Sequence, residues 1–324
     1  MQRLRVLCPE PQNYSKAGLE TMAKLTQLDA HPLLQEAFAR SSPKYDVLMV
    51  RLQARVTAEI IKECPRLKVI ISPTTGLDHI DLEAANEYGI QLFSLKGEAE
   101  FLCTVTSSAE HTFALLLSLI RRIPSAFAAV KFCEWNQDQF RGHELLGKTL
   151  GILGYGRVGA LVARYGDAFG MHVLAYDPYV DKYADYVTRV ATLDELLQAS
   201  DVLSIHVPLE KTTVGLIGVR EIALLPSGAF LINTSRGEIV DEVALLAALA
   251  GGHIAGAAVD VLTDEHRIRI VGHPLIKYAR EHDNLIITPH IGGAAWEAIE
   301  KTDMFVIGKF RKWLEGQNIK GDTR

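Results

Sequence analysis

The stretch 148–159, Lys-Thr-Leu-Gly-Ile-Leu-Gly-Tyr-Gly-Arg-Val-Gly, limits what this chain can fold into more than any other. A short apolar run enters Gly154-Tyr155-Gly156-Arg157-Val158-Gly159, which has the Gly-x-Gly-x-x-Gly spacing. Val158, Leu161, Val162, Tyr165 and Phe169 follow at helical spacing, and Gly170 closes the pattern. A second apolar run at 172–176 ends on Asp177. Strand, glycine turn, helix, strand and terminal acid predict a dinucleotide-binding βαβ unit.

Each part has a physical task. Gly154 permits the tight turn, Gly156 lets backbone approach a pyrophosphate, and Gly159 lets the helix pack on the strand. The helix N-terminus adds free N–H groups and the positive end of a dipole. Asp177, 21 positions after Gly156, is placed to accept hydrogen bonds from the adenosine ribose hydroxyls. The same carboxylate would repel a 2′-phosphate, so NAD is the expected cofactor rather than NADP.

A chain of 324 residues exceeds the size at which one core keeps growing, so two domains are expected. The net charge of −5 opposes non-specific nucleic-acid binding. Cys8, Cys64, Cys103 and Cys133 form no Cys-x-x-Cys pair, which predicts reduced, mostly buried thiols in a cytoplasmic protein. The N-terminal residues lead straight into a strand-like run without the apolar core of a secretion signal. The most apolar window, 113–120, is too short to span a bilayer, so no membrane partner is expected.

Along the chain, strand-like runs at 4–8, 46–50, 67–71 and 90–93 alternate with helical segments. Thr57 is placed to cap the helix that precedes Pro65, and Gly89 to end the helix that starts at Asp81. This alternation predicts a parallel sheet covered on both faces. A long apolar helix at 107–122, stopped by Pro124, would bridge two lobes. Near-continuous apolar strands at 201–207, 229–233, 254–259 and 285–288 extend the second lobe. A helix at 294–314 is expected to return to the first. The predicted architecture is α/β: a Rossmann-type doubly wound parallel sheet and a smaller flavodoxin-like α/β domain. The NAD-binding domain is assigned to 104–291, and a discontinuous substrate-binding domain to 1–103 and 292–324.

In open parallel sheets, ligands bind beyond the carboxyl ends of the strands. Those ends in the second lobe carry Val207-Pro208, Asn233-Thr234-Ser235-Arg236-Gly237, Asp260 with Glu265, and Thr288-Pro289-His290-Ile291-Gly292-Gly293. One Arg, one Glu and one His thus converge on the nucleotide crevice. Arg236 can grip a carboxylate and polarise a carbonyl. His290 can supply the proton a carbonyl oxygen needs as hydride arrives at carbon. Glu265 can orient that imidazole and favour its protonated form. Singly, each residue is better read as a surface, structural or loop charge, and convergence at three strand ends reverses that. His79, His111 and His206 gain no such support. No metal-ligand pattern is present, so no metal is expected.

With these residues in place, the chain resembles the D-isomer-specific 2-hydroxyacid dehydrogenases over nearly its whole length. The matching runs are Val50-Arg51 with Val56-Thr57-Ala58-Glu59, Thr75-Gly76-Leu77-Asp78-His79-Ile80-Asp81, Ala109-Glu110-His111 and the glycine turn. Further on they are His206-Val207-Pro208-Leu209 with Thr213, 233–237, 260–265 and 288–293, and the first lobe is most similar to phosphoglycerate dehydrogenases. The resemblance implies substrate-binding, His-orienting and acid/base roles for Arg236, Glu265 and His290. It implies that amides around Thr75 and Gly76 hold the substrate carboxylate. Arg51 would contact a second negative group, although an exposed helix-cap neighbour is an equal reading. Val207, Pro208, Thr213, Thr234, Ser235, Asp260, Gly292 and Gly293 would line the cofactor beside Tyr155, Arg157 and Val158. A homodimer through the nucleotide-binding lobe is also implied.

Two departures stand out: His266 replaces the usual Pro after the catalytic Glu, and 267–283 is longer than usual. The implied activity is NAD-dependent hydride transfer on a small 2-hydroxy or 2-keto acid. The alternative is an NAD-sensing, corepressor-like binding protein on the same fold.

Overall fold

The computed structural model describes residues 3–265 and 272–321. The chain divides into two compact units, residues 1–105 with 294–324 (unit 1) and residues 106–293 (unit 2).

In unit 1, β1 (Arg5–Cys8), β2 (Gln27–Ala30), β3 (Val47–Met49), β4 (Val69–Ser72) and β5 (Gln91–Ser94) pair in parallel in the order β2-β1-β3-β4-β5. This is the flavodoxin-like order, with its switch point between β1 and β3. Alternation along the strands divides the core. Val47, Met49, Val69 and Ile71 face one side, and Leu48 and Ile70 the other. Val306, Ile307 and Phe310 of the long helix Trp296–Gly321 pack into the first side, so the C-terminal helix belongs to unit 1. Thr57 and Asp81 cap the helices Ala58–Lys62 and Leu82–Glu87, and Gly89 follows at φ +67°.

Unit 2 holds seven parallel strands: β6 (Thr149–Leu153), β7 (His172–Tyr176), β8 (Val187–Arg189), β9 (Val202–Ile205), β10 (Ala229–Asn233), β11 (Ile254–Val259) and β12 (Leu285–Ile287). Their order, β12-β11-β10-β9-β6-β7-β8, is the Rossmann arrangement with one added strand and its switch point between β6 and β9. The central strands are buried on both faces, which is why their sequences are apolar without alternation.

Several expectations change. The helix after residue 106 runs Ser107–Ile120 and packs on the sheet within unit 2. Pro124 does not stop it. It lies in the first turn of a further helix, Ile123–Lys131, where a missing N–H costs nothing. The stretch Ala99–Ile120 is long and apolar enough to cross a membrane by length and composition, yet half of it is buried and it is broken between Leu102 and Ser107. Cys8 and Cys64 are buried, but Cys103 and Cys133 are exposed, and all four are free. Part of the longer segment forms a helix, Pro274–Glu281, anchored by buried Leu275. His266 and 267–271 lie outside the described residues.

Candidate active site

The glycine turn leaves β6 at the switch point of unit 2. Gly154 has φ +92°, and a Cβ there would lie 2.9 Å from the backbone of His206 and Val207 at the end of β9. Gly159 carries the helix–strand packing, since its Cβ would sit 2.1 Å from the Gly154 carbonyl oxygen. Gly156 differs, because a Cβ there would meet no atom within 4 Å. It is the N-cap of the helix Arg157–Ala168, whose first amides have no intrahelical partner. Backbone and dipole therefore face a position that side chains do not enter, which suits a pyrophosphate.

Asp177, at the end of β7, is tied to this turn. Its Oδ2 accepts from the Tyr155 amide at 2.9 Å and its Oδ1 from the Tyr179 amide at 2.9 Å. Each oxygen keeps a lone pair for a ribose hydroxyl. The Tyr155 ring is buried and stacks on Tyr183 at 4.6 Å. At the end of β9, Val207 accepts from the Ser235 hydroxyl, and the Thr213 hydroxyl donates to the Pro208 carbonyl at 2.7 Å. The His206 ring bonds Ser204 at 2.8 Å, its Nδ1 is buried without a partner, and burial lowers its pKa to about 3.

The loop after β10 is held by Asn233, whose Oδ1 accepts from the Ser235 amide at 3.0 Å and whose Nδ2 donates to the Arg236 carbonyl at 2.8 Å. Thr234 shares a 2.8 Å hydroxyl contact with Thr112. Arg236 is half-buried, and Nη1 donates to the Ser235 carbonyl at 2.8 Å. Gly237 brings two loops together, because a Cβ there would lie 2.1 Å from the Leu262 carbonyl carbon. That approach sets the Arg236 loop against the segment carrying Glu265.

The Glu265 carboxylate binds Nδ1 of His290, and both side chains are about one-fifth exposed. This leaves Nε2 of the imidazole for chemistry. Asp264 and His290 have φ of +53° and +54°, strained values that recur where structure fixes a functional group. Glu238 and Glu242 accept from the Asp264 and Thr263 amides at 3.3 and 2.8 Å, and Glu242 also pairs with His273 at 3.2 Å.

Asp260 anchors the loop carrying His290. Its carbonyl accepts from the His290 amide at 2.8 Å, and its carboxylate accepts from Thr288, Ile291 and Gly292 at 2.6–2.9 Å. His111 Nε2 lies 3.2 Å from the same carboxylate and 3.0 Å from the Thr288 hydroxyl. Burial raises the Asp260 pKa, but the hydrogen bonds from His111, Thr288, Ile291 and Gly292 outweigh it, so the carboxyl is held below its usual range. With 1% exposure, Asp260 is a positioning residue for this loop. Gly292 is needed there, since a Cβ would lie 3.0 Å from Asp260 Oδ2, whereas Gly293 has no such neighbour.

In unit 1, Thr75 and Gly76 follow β4, exposed and half-buried. Thr74 donates to the Gly76 carbonyl at 2.8 Å, and among the described residues the Thr75 and Gly76 amides have no acceptor. Arg51 follows β3 and is not exposed. Its side chain is 13% exposed, and Nη2 donates to Asp303 at 2.7 Å and Thr302 at 3.2 Å. Burial holds the Asp303 carboxyl above its usual range despite the opposing Arg51 charge. The chain thus supplies Nη2 of Arg51 with partners, while Nε is buried without one. Among the described residues no cluster suits a metal.

Residues 113–292 match the sequence profile described as D-isomer specific 2-hydroxyacid dehydrogenase, NAD binding domain. The chain belongs to this family. Unit 2 thus contains its NAD-binding domain, as the glycine turn and Asp177 require. The D-3-phosphoglycerate dehydrogenase of Archaeoglobus fulgidus is 38% identical, over 98% of this chain and 58% of that protein. The chain spans about half the length of the phosphoglycerate dehydrogenases it matches. The hydroxypyruvate reductase of Thermotoga maritima is 33% identical, over 97% of this chain and 99% of that one. The solved structure of D-lactate dehydrogenase from Aquifex aeolicus, complexed with NAD and lactic acid, aligns with a TM-score of 0.82 and 33% identity over 98% of both chains.

Sequence reasoning missed the positioning roles of His111, Thr288, Glu238 and Glu242. His111 and Thr288 stand inside matching runs and could have been found there. The two glutamates carried no local signal.

Proposed function

We propose that the protein is an NAD-dependent oxidoreductase that moves a hydride between the nicotinamide and a small D-2-hydroxy acid or its 2-keto form. The observation that carries this reading is the Glu265 carboxylate on Nδ1 of His290, built on strand ends of a dinucleotide-binding sheet. Amides of the Gly154–Gly159 turn would hold the pyrophosphate and Asp177 the adenosine ribose, with NAD favoured over NADP. Val207, Pro208, Thr213, Thr234, Ser235, Gly292 and Gly293 would border the same cofactor. When bound, NAD supplies or receives the hydride.

The other steps fall to side chains. The Arg236 guanidinium binds the substrate carboxylate as a fork and draws electron density from the adjacent carbonyl. His290 Nε2 donates a proton to the carbonyl oxygen, and takes it back in the reverse direction. Glu265 fixes the ring so that Nε2 carries this proton. In unit 1, the substrate-binding domain of this reading, the amides of Thr75 and Gly76, which have no acceptor among the described residues, would hold a carboxylate. The corepressor-like reading is not favoured, since the relatives are named as dehydrogenases and reductases.

We also propose a cytoplasmic homodimer. Phe127, Phe132, Trp135 and Leu146 of unit 2 are 62–90% exposed, an apolar surface that a second copy would cover. Sedimentation should give twice the chain mass. The activity is tested by NADH oxidation at 340 nm against a panel of 2-keto acids. Absence of turnover with every member would overturn the reading.

A further inference from the structure

Neither Glu265 nor His290 lies on a strand or a helix, so each must be fixed from outside its own segment. Asp260 does this for His290. Glu265 sits at the end of a turn whose own bonds are long. Its carboxylate accepts from the Leu262 amide at 3.3 Å, and its amide donates to the Leu262 carbonyl at 3.3 Å. Asp264 in the middle has φ +53°, a conformation that persists only where surrounding structure imposes it.

The surrounding structure is the chain just after Arg236. Glu238 accepts from the Asp264 amide at 3.3 Å, and Glu242 accepts from the Thr263 amide through Oε1 at 2.8 Å. Glu242 opens the helix Glu242–Ala250, where a negative charge suits the dipole. Asp241 already caps the Val243 and Ala244 amides, so the Glu242 carboxylate serves other segments. Its second oxygen, Oε2, lies 3.2 Å from Nε2 of His273, the residue before the helix Pro274–Glu281. The His273 side chain is 8% exposed, and its Nδ1 is buried with no partner among the described residues. Leu275 and Tyr278 of that helix pack in the same core as Leu245 and Leu249, which anchors the imidazole against Glu242.

We infer that Glu242 and His273 are positioning residues for the proposed reaction. The Glu242 carboxylate spans from His273 to the Thr263 amide, and so holds the turn where Glu265 reaches His290. The inference rests on the oxidoreductase reading above and deepens it. It also gives the longer segment after Glu265 a task, because its helix anchors the outer member of this relay.

The test follows NADH oxidation by the full-length protein with the fastest 2-keto acid of a panel containing pyruvate, hydroxypyruvate and 3-phosphohydroxypyruvate. Glu242→Ala should lower kcat by roughly 10–100-fold, the scale of a small misplacement of an oriented group, while KM and the NADH Kd stay within error. Glu242→Gln, whose amide oxygen can still accept from Thr263, should recover most of that loss. His273→Ala should lower kcat by less, because Thr263 keeps its acceptor. In a Glu265→Ala background, Glu242→Ala should cost little more, since no carboxylate remains to be positioned. If Glu242→Ala does not fold, His273→Ala carried through the same cycle decides. Losses that multiply in full in the Glu265→Ala background would overturn the inference. So would a lowered Tm with kcat per folded enzyme unchanged. Both outcomes leave the oxidoreductase reading intact. Wild-type protein that turns over no acid of the panel would instead remove that reading, and this inference with it.

Discussion

Both units wind parallel strands outward from a switch point, and in both a loop at that point presents backbone amides. In unit 2 the amides belong to the glycine turn, and the Cβ that Gly156 lacks would touch nothing. In unit 1 the amides of 51–54 close around Glu10, a residue 41–44 positions earlier in the chain. One fold principle therefore yields a receptor in one unit and an internal hydrogen-bonded plug in the other. Sheet topology fixes where an anion can go, and side chains decide whether it comes from a ligand or from the protein.

The largest effect should come from His290. If unit 2 carries the chemistry, His290→Ala should lower kcat by about 10²–10⁴-fold, the contribution of a positioned acid/base, while the NADH Kd measured by fluorescence stays within error. Glu265→Gln should also lower kcat, by less, since an amide can still accept from Nδ1. A His290→Ala enzyme with near-normal turnover would move the chemistry away from this loop.

A second experiment separates ligand space from packing space within one turn. Gly156→Val places methyls where a Cβ meets no protein atom, so it should weaken NADH by roughly 10–100-fold with little change in Tm. Gly159→Ala forces a Cβ to 2.1 Å from a carbonyl oxygen and should instead lower stability by about 1–3 kcal/mol. If the two variants exchange phenotypes, the assignment of the turn is inverted.

The smallest effect concerns His206, beside the glycine turn. Its folded-state pKa of about 3 lies below the ordinary 6.5, so the unfolded chain binds a proton that the folded one refuses. Stability should therefore fall as pH drops below about 6.5, with a slope from this group of up to about 1.4 kcal/mol per pH unit until about pH 3. His206→Gln should flatten the denaturation midpoint against pH by that amount. An unchanged slope would mean that the ring is charged in the folded protein.

Much of this was legible from local pattern. Strands buried on both faces announce themselves as apolar runs, and the Gly-x-Gly-x-x-Gly turn reads from spacing because Gly154 and Gly159 answer steric demands nearby while Gly156 keeps a position open. Arg236, Glu265 and His290 were singled out as candidates from their places after strands, and the structure pairs Glu265 with His290. β2 and β8 were missed because they are short and only partly buried, with polar residues that give no signal. The Arg51–Asp303 pair was not foreseen because Asp303 lies 252 residues away, and no window of sequence shows that pairing. The links from Asp260 to His111 and from Glu10 to the 51–54 loop escaped for the same reason. A polar residue advertises its type locally, but its partner is set by topology.

The C-terminal helix has a consequence for how the chain is made. Phe310, Val306 and Ile307 complete one side of the sheet whose strands begin at Arg5. A ribosome translating from the N-terminus has made all of unit 2 before those side chains emerge. Unit 2, continuous from 106 to 293, can close its sheet earlier. Synthesis thus favours a nascent chain in which unit 2 is folded while the strands of unit 1 still await the helix Trp296–Gly321, reversing the usual N-terminal-first order. Chaperone contacts during translation should concentrate on β1–β5 and fade once residue 310 leaves the exit tunnel.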